Sequence, residues 1–156
     1  MLDNRLKSFL KMIRWSETLL AGDNGYNVIV GGELMATYND HPRKSVYIEK
    51  LGIWSTAAGG YQIKESIYDF YKIQLGLNDF GYYAQDVIAL QLIRECKSMS
   101  LIIGGEIKEA IIAVSSRWAS LPGNNDDQHQ QKFDDLLAVY NKSLVAFNLV
   151  SPIVTQ

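Results

Sequence analysis

The hydrophobic period changes twice along this chain, and that change constrains its fold more than any other feature. Apolar residues first recur at steps of three and four. A β-branched run then appears among glycines, and from residue 63 onward the helical period returns. From Asn4 to Leu20, the residues Leu6, Phe9, Leu10, Ile13 and, less regularly, Leu20 fall on one helical face. Asp3 or Asn4 can cap the start, and Gly22, Asn24 and Gly25 end the segment. Tyr26 to Met35, with Val28-Ile29-Val30 followed by Gly31-Gly32, reads as a short hairpin. Ser45 to Glu49 can add a third short strand, and Gly52 to Gly60 has no period and reads as an ordered loop. Helices are expected over Ile63–Leu75, Ala84–Met99, Glu106–Trp118 and Lys132–Phe147. Leu121-Pro122-Gly123 breaks the chain before a polar loop, Asn124 to Gln131. No repeat or Pro/Ser-rich linker divides it. The expectation is one α+β domain over residues 1–156, mainly helical, with a small sheet in the N-terminal third.

Composition removes several classes of function. The net charge is -2 and the pI about 5.6, and no Lys/Arg run is longer than Arg43-Lys44, so nucleic acid is not an expected ligand. A single cysteine, Cys96, rules out an intrachain disulfide and reads as a buried thiol on a helix. One Cys and two His are too few for a Cys/His zinc site. The N-terminus lacks the order of basic, apolar and small residues of a signal peptide, and no stretch is long and apolar enough to span a bilayer.

Two places in the sequence can carry chemistry. Glu17 follows Trp15-Ser16 near the end of the first helical segment, four residues after Ile13 and seven after Leu10. That spacing sets a carboxyl group on or beside the buried stripe. Desolvation there disfavours the charged form and raises the pKa. A carboxylic acid kept protonated near neutral pH is what glycosidic-bond cleavage requires of its general acid. The alternative is a boundary glutamate that accepts a hydrogen bond or salt bridge.

The second place is Ser55-Thr56-Ala57-Ala58-Gly59-Gly60-Tyr61-Gln62. Its small residues allow close approach of a ligand to the backbone, and its hydroxyls and amide offer sugar-type hydrogen bonds. Trp54 and Tyr61 flank it, with aromatic faces that suit a pyranose. The alternative is a glycine-rich turn closing onto a helix. Tyr38 to Lys44, with the adjacent Asp40-His41, reads as a charged turn, and His129 as a solvated loop residue. There is no Gly-x-Ser-x-Gly elbow, Walker loop or dinucleotide fingerprint.

Taken together and in order, these segments resemble the bacteriophage lambda endolysin family of lytic transglycosylases. The resemblance is carried by Trp15-Ser16-Glu17, by Gly25 to Leu34, by Tyr38 to Lys44 and by Ser55 to Gln62. It continues through Gln74 to Phe80, Gln85-Asp86 with Ala89-Leu90-Gln91, and Trp118 to Gly123. It covers about Asn4 to Tyr140.

The resemblance implies a lysozyme-like α+β fold with a cleft between a small sheet lobe and a helical lobe. It implies cleavage of the β-1,4 bond between N-acetylmuramic acid and N-acetylglucosamine of peptidoglycan. Glu17 falls on the catalytic glutamate, and the product is a 1,6-anhydro sugar made without cofactor or metal. By position, Tyr38, Trp54, Ser55, Thr56, Gly59, Tyr61, Gln62 and Gln128 are the expected sugar-binding residues. A hydrolase would need a second carboxylate, for which Glu33 and Asp40 are the candidates. A wall-binding homologue of weak activity is the further alternative. The partner is the glycan strand. A monomer is expected, held in the host cytoplasm until a separate holin provides passage to the wall.

The chain also departs from the family pattern. Thr18-Leu19 stand where Gly-Thr is common, on a shorter connection; Asn27 replaces an aspartate and Gly60 an arginine. The loop from Asn124 to Gln131 lacks the usual aromatic residue.

Overall fold

A computed structural model describes residues 2–124 and 130–150 of the chain. The contacts divide it into two compact units, Met1–Ser16 with Leu92–Gln156, and Glu17–Gln91. Both belong to an α+β chain, in which the helices dominate and the sheet is small.

The first unit is helical. The apolar steps of the N-terminus build α1, Asn4–Thr18, and bury Leu6, Phe9, Leu10, Met12 and Ile13. Phe9 and Ile13 are wholly enclosed, so truncating Phe9 to alanine would cost about 3–5 kcal/mol. The Ser16 hydroxyl donates to the Ile13 carbonyl and accepts from Ser120 at 3.0 Å, which ties the end of the helix to the Trp118–Gly123 turn. The segment expected as one helix to Met99 is interrupted. Helix α4, Tyr82–Glu95, stops before Lys97, whose φ is +56°, and α5, Met99–Gly104, starts anew. Cys96 therefore lies in the turn and is half-buried, where a fully buried helical thiol was expected. Helix α6, Ile107–Val114, is shorter than expected, and Trp118 is buried in the turn after it. The last helix, α7, Phe133–Val150, extends beyond the expected end and exposes Val145, Leu149 and Val150. Gln128 and His129 lie outside the described residues.

The second unit holds the sheet. Helix α1 ends at Thr18 because Leu19 and Leu20 both adopt left-handed φ values, 51° and 56°, several residues before the glycines expected to end it. One distorted turn, α2, Ala21–Asn24, follows, with Gly22 and Asp23 outside helical geometry. The expected 26–35 hairpin does turn back at Gly31-Gly32, but it pairs only at Val28 and Leu34. Its other edge is taken: Val30 donates to Ala57 at 2.9 Å and Gly59 donates to the Val28 carbonyl at 2.8 Å.

The true two-stranded sheet joins β1, Val46–Ile48, to β2, Ile53–Ser55, with Tyr47 opposite Trp54. The expected loop from Gly52 to Gly60 thus contains a strand. Three residues are too few for alternation to declare itself in the sequence. Helix α3, Glu65–Leu75, ends at Gly76, as its left-handed C-cap allows. Among the described residues no helix is long and apolar enough to cross a membrane.

Candidate active site

Glu17 is the next-to-last residue of α1 and is half-buried. The chain leaves it in an uncommon way. Two consecutive non-glycine residues, Leu19 and Leu20, occupy the left-handed region, at about 1–2 kcal/mol each. Backbone strain of this kind concentrates at functional sites, where the surroundings hold it in place. Here the hold comes from three contacts. Thr18 Oγ1 accepts the Leu20 amide at 3.2 Å. Gly25 passes so close to Thr18 that an added Cβ would stand 2.2 Å from the same oxygen. Asn27 Oδ1 accepts the Asp23 amide at 2.8 Å. Asn27 is thus a brace for the loop beyond Glu17.

Asp23 stands at the centre of a tyrosine cluster. Its Oδ2 accepts from the Tyr38 hydroxyl at 2.8 Å and from the Tyr82 hydroxyl. The Tyr82 ring lies 4.6 Å from Tyr26 and 5.2 Å from Tyr38. The two phenolic donors, Tyr82 first, hold the Asp23 carboxyl below its ordinary pKa, despite a small opposing effect of desolvation. The expectation for Tyr38 was a wall for sugar; the structure gives its hydroxyl to Asp23. Sequence reading missed Asp23 altogether, because Tyr82 is 59 residues away and no local motif joins them.

The glycine-rich loop is built around Gln85, which is fully buried. Its Oε1 accepts the Gly60 amide at 2.8 Å, while Nε2 donates to the carbonyls of Tyr26 at 3.0 Å and Phe80 at 2.8 Å. A Cβ on Gly59 would meet Gln85 Oε1 at 2.4 Å, so glycine is required there. Gln62, at φ +46°, donates its amide to the Val28 carbonyl at 3.1 Å and the Gly59 carbonyl at 2.9 Å. Thr56 Oγ1 accepts the Glu65 amide at 3.1 Å and so caps α3, and Ser55 Oγ accepts the Ala57 amide at 3.2 Å.

The two flanking aromatics part company. Trp54 is 69% exposed and lies 5.3 Å from Tyr47 across the sheet. Tyr61 is only 1% exposed, and its hydroxyl donates to Asp86 Oδ1 at 2.5 Å beside that of Tyr26 at 2.8 Å. Its ring is a support inside the loop and offers no face to a ligand.

The Asp40-His41 pair is structural. His41 is buried, its Nε2 is 2.8 Å from the Ile63 carbonyl, and its Nδ1 accepts the Arg43 amide at 3.1 Å. This is the neutral Nε2–H tautomer, and burial holds the ring below the ordinary histidine pKa. Asp40 bonds Arg43 at 3.0 Å and Lys72 at 3.2 Å, and the hydrogen bond from Arg43 leads in bringing its pKa down to about 2. Arg43 also grips Asp69 with both terminal nitrogens, at 2.9 and 2.5 Å. Glu33 is paired with Lys44. Both carboxylates line a hollow of about 410 Å³ with Leu34, Met35, Thr37 and Asn39. Among the described residues, no three His, Cys, Asp or Glu side chains gather to hold a metal ion.

Known proteins are similar to this chain in sequence and in fold. A sequence model of the endolysin family matches residues 7–146. The endolysin of Escherichia phage lambda is 43% identical over 147 residues, spanning 91% of this chain and 92% of that protein. The endolysin of Escherichia phage P2 is 36% identical over 148 residues, spanning 86% and 90%. Bacteriophage lambda lysozyme complexed with a chitohexasaccharide matches with a TM-score of 0.86 at 42% identity, over 92% of this chain and 96% of that one. A second structure of the lambda lysozyme gives 0.83 at 40% identity, with the same coverage. The α+β fold is therefore lysozyme-like, and the chain belongs to the endolysin family.

Proposed function

We propose that this endolysin is a lytic transglycosylase. It cleaves the β-1,4 bond between N-acetylmuramic acid and N-acetylglucosamine of peptidoglycan, with Glu17 as its acid and base and residues 1–156 as a single catalytic domain. Protonated Glu17 gives its proton to the leaving glycosidic oxygen, and positive charge develops at the anomeric carbon. The resulting carboxylate takes the proton of the muramic acid C6 hydroxyl, whose oxygen closes on the anomeric carbon. One bond breaks, one forms, Glu17 regains its proton, and neither water, cofactor nor metal is consumed.

Family membership supports the substrate class, and the chitohexasaccharide bound by lambda lysozyme supports a glycan as ligand. The observation that carries the single-acid reading is the state of the other two candidates. Glu33 is paired with Lys44, and Asp40 with both Arg43 and Lys72, so each would have to leave its ion pairs to act on the sugar. On this reading Ser55, Thr56, Gln62 and Trp54 contact the sugars. Gly59 and Tyr61 shape the loop from within, and Tyr38 acts through Asp23. The enzyme works as a monomer, waits in the host cytoplasm, and reaches the wall when a separate holin opens the membrane.

The test is a digest of purified peptidoglycan by the wild type and Glu17→Gln, with the products weighed by mass spectrometry. Anhydro-muropeptides from the wild type alone support both the reaction and its acid. Reducing ends would make the enzyme a hydrolase, and products from Glu17→Gln at near-normal rate would sink the assignment of the acid. No product from either would leave a wall-binding homologue.

A further inference from the structure

We infer that Asp23 is a substrate-positioning carboxylate, which offers its Oδ1 to a hydroxyl or acetamido N–H of the glycan while Tyr38 and Tyr82 hold its Oδ2. This rests on the reading of the site as a glycan site. Three observations lead to it. The first is asymmetry: both tyrosine hydroxyls converge on Oδ2, and Oδ1 keeps its acceptor capacity. A carboxylate fixed through one oxygen is pre-organised at the other, so little rotamer entropy is lost when a ligand bonds it. The carboxylate stays ionised at working pH, and a hydrogen bond to an ionised acceptor is about twice as strong as a neutral one.

The second observation is the setting. Tyr26, Tyr38 and Tyr82 surround the group, and Tyr82 is 47% exposed. Aromatic rings beside a hydrogen-bond acceptor match the two faces of a pyranose, with apolar C–H bonds on one and polar groups at its edge. The third is attachment. Asp23 sits on the strained loop that starts at Leu19, two residues beyond Glu17, and the Asn27 brace fixes its amide at 2.8 Å. The same loop that leads away from the acid thus carries a fixed acceptor.

Asp23→Asn is the informative change. The amide keeps the size of the side chain, and its carbonyl can still accept from Tyr38 and Tyr82. Its NH2 then stands where Oδ1 stood, and a donor faces the donors of the glycan. Binding of a chitin hexamer is measured by calorimetry in a Glu17→Gln background, with and without Asp23→Asn. Turnover on peptidoglycan is measured with Glu17 intact. The expected result is a loss of affinity of about tenfold and a raised KM with kcat within about twofold. The anhydro product is unchanged. Tyr82→Phe, which removes one of the two grips, should weaken affinity about two- to threefold. Equal hexamer affinity with and without Asp23→Asn overturns the inference while leaving the glycan reading intact. So does a fall in kcat at unchanged KM, which would put Asp23 in the chemistry. A Glu17→Gln parent that binds neither the hexamer nor peptidoglycan overturns the glycan reading, and this inference with it.

Discussion

Gly25 lies against Thr18 so closely that a Cβ on it would stand 2.2 Å from Thr18 Oγ1, a separation that real Cβ atoms do not reach. Thr18 follows Glu17 directly, so this contact fixes where the helix ends and where the carboxyl group stands. Gly25→Ala meets two penalties, the collision and a φ of +87°. The branched threonine has little rotameric freedom to move aside. The expected loss of stability is about 2–3 kcal/mol, read from urea unfolding, with lytic activity falling in parallel. Gly32→Ala, at φ +99° but with nothing within 4 Å, should cost about 1 kcal/mol by strain alone. Equal losses from the two would show that the close approach matters less than the backbone angle.

Gln85→Leu keeps the volume of the side chain and removes every hydrogen bond. The Gly60 amide and the carbonyls of Tyr26 and Phe80 would then lack the partner they have now. A buried group left unsatisfied costs about 1–3 kcal/mol, and the expected loss is about 3 kcal/mol, measured by chemical denaturation. Hydrogen exchange should quicken first at the amides of Gly59 and Gly60. A variant as stable as the parent would mean that the loop stands without its central strut.

His41 makes stability depend on pH with a definite sign. Burial lowers its pKa in the folded protein from the ordinary 6.5. Above that value the ring is neutral in both states and contributes no slope. As pH falls through it, the unfolded chain takes up the proton first, so folding stability declines until the lower folded pKa is reached. Urea midpoints measured from pH 7.5 down to 5 should fall accordingly, and the decline should largely vanish in His41→Gln. A midpoint that rises on acidification in this range would contradict the buried neutral ring.

Glu33→Gln and Asp40→Asn should each retain activity within about twofold. The first removes one surface ion pair and the second two, and such pairs contribute little to stability. Rates of peptidoglycan solubilisation at neutral pH provide the check. A loss of several orders of magnitude in either variant, with melting unchanged, would return the second carboxylate to the mechanism. Asp40 does link to pH lower down: its ordinary 3.8 drops to about 2 on folding, so its contribution holds above 3.8 and fades as pH falls through that interval.

How far the sequence disclosed this arrangement depended on the range of each interaction. The helical face of Leu6, Phe9, Leu10 and Ile13 was legible because its period lies within one segment. The half-buried position of Glu17 was legible by the same count from Ile13. Strand β2 was not, since Ile53-Trp54-Ser55 is too short to show alternation and is a strand only because Val46–Ile48 pairs with it. The break at Lys97 was hidden because a left-handed lysine carries no composition signal. The small residues of the loop were read as room for a ligand to approach the backbone, and at Gly59 that room is filled from within the protein. The group that approaches is Gln85, from 26 positions further on. Tyr61 was mistaken for a surface because aromatic identity does not reveal direction; its partner Asp86 lies 25 residues away. Tyr38 and Asp23 joined only in space.

The contacts of Gln85 also set an order of events for folding. One side chain closes segments that end at residues 26, 60 and 80, at separations of 59, 25 and 5 positions. Loop-closure entropy must be met before such distant contacts give anything back. The glycine-rich loop therefore cannot lock when its own residues are first synthesised. It locks only after the first turns of α4 have emerged and delivered Gln85. Tyr82, three positions before Gln85, arrives with it, so the tyrosine cluster around Asp23 also closes only then, and a shorter nascent chain holds Glu17 without either arrangement.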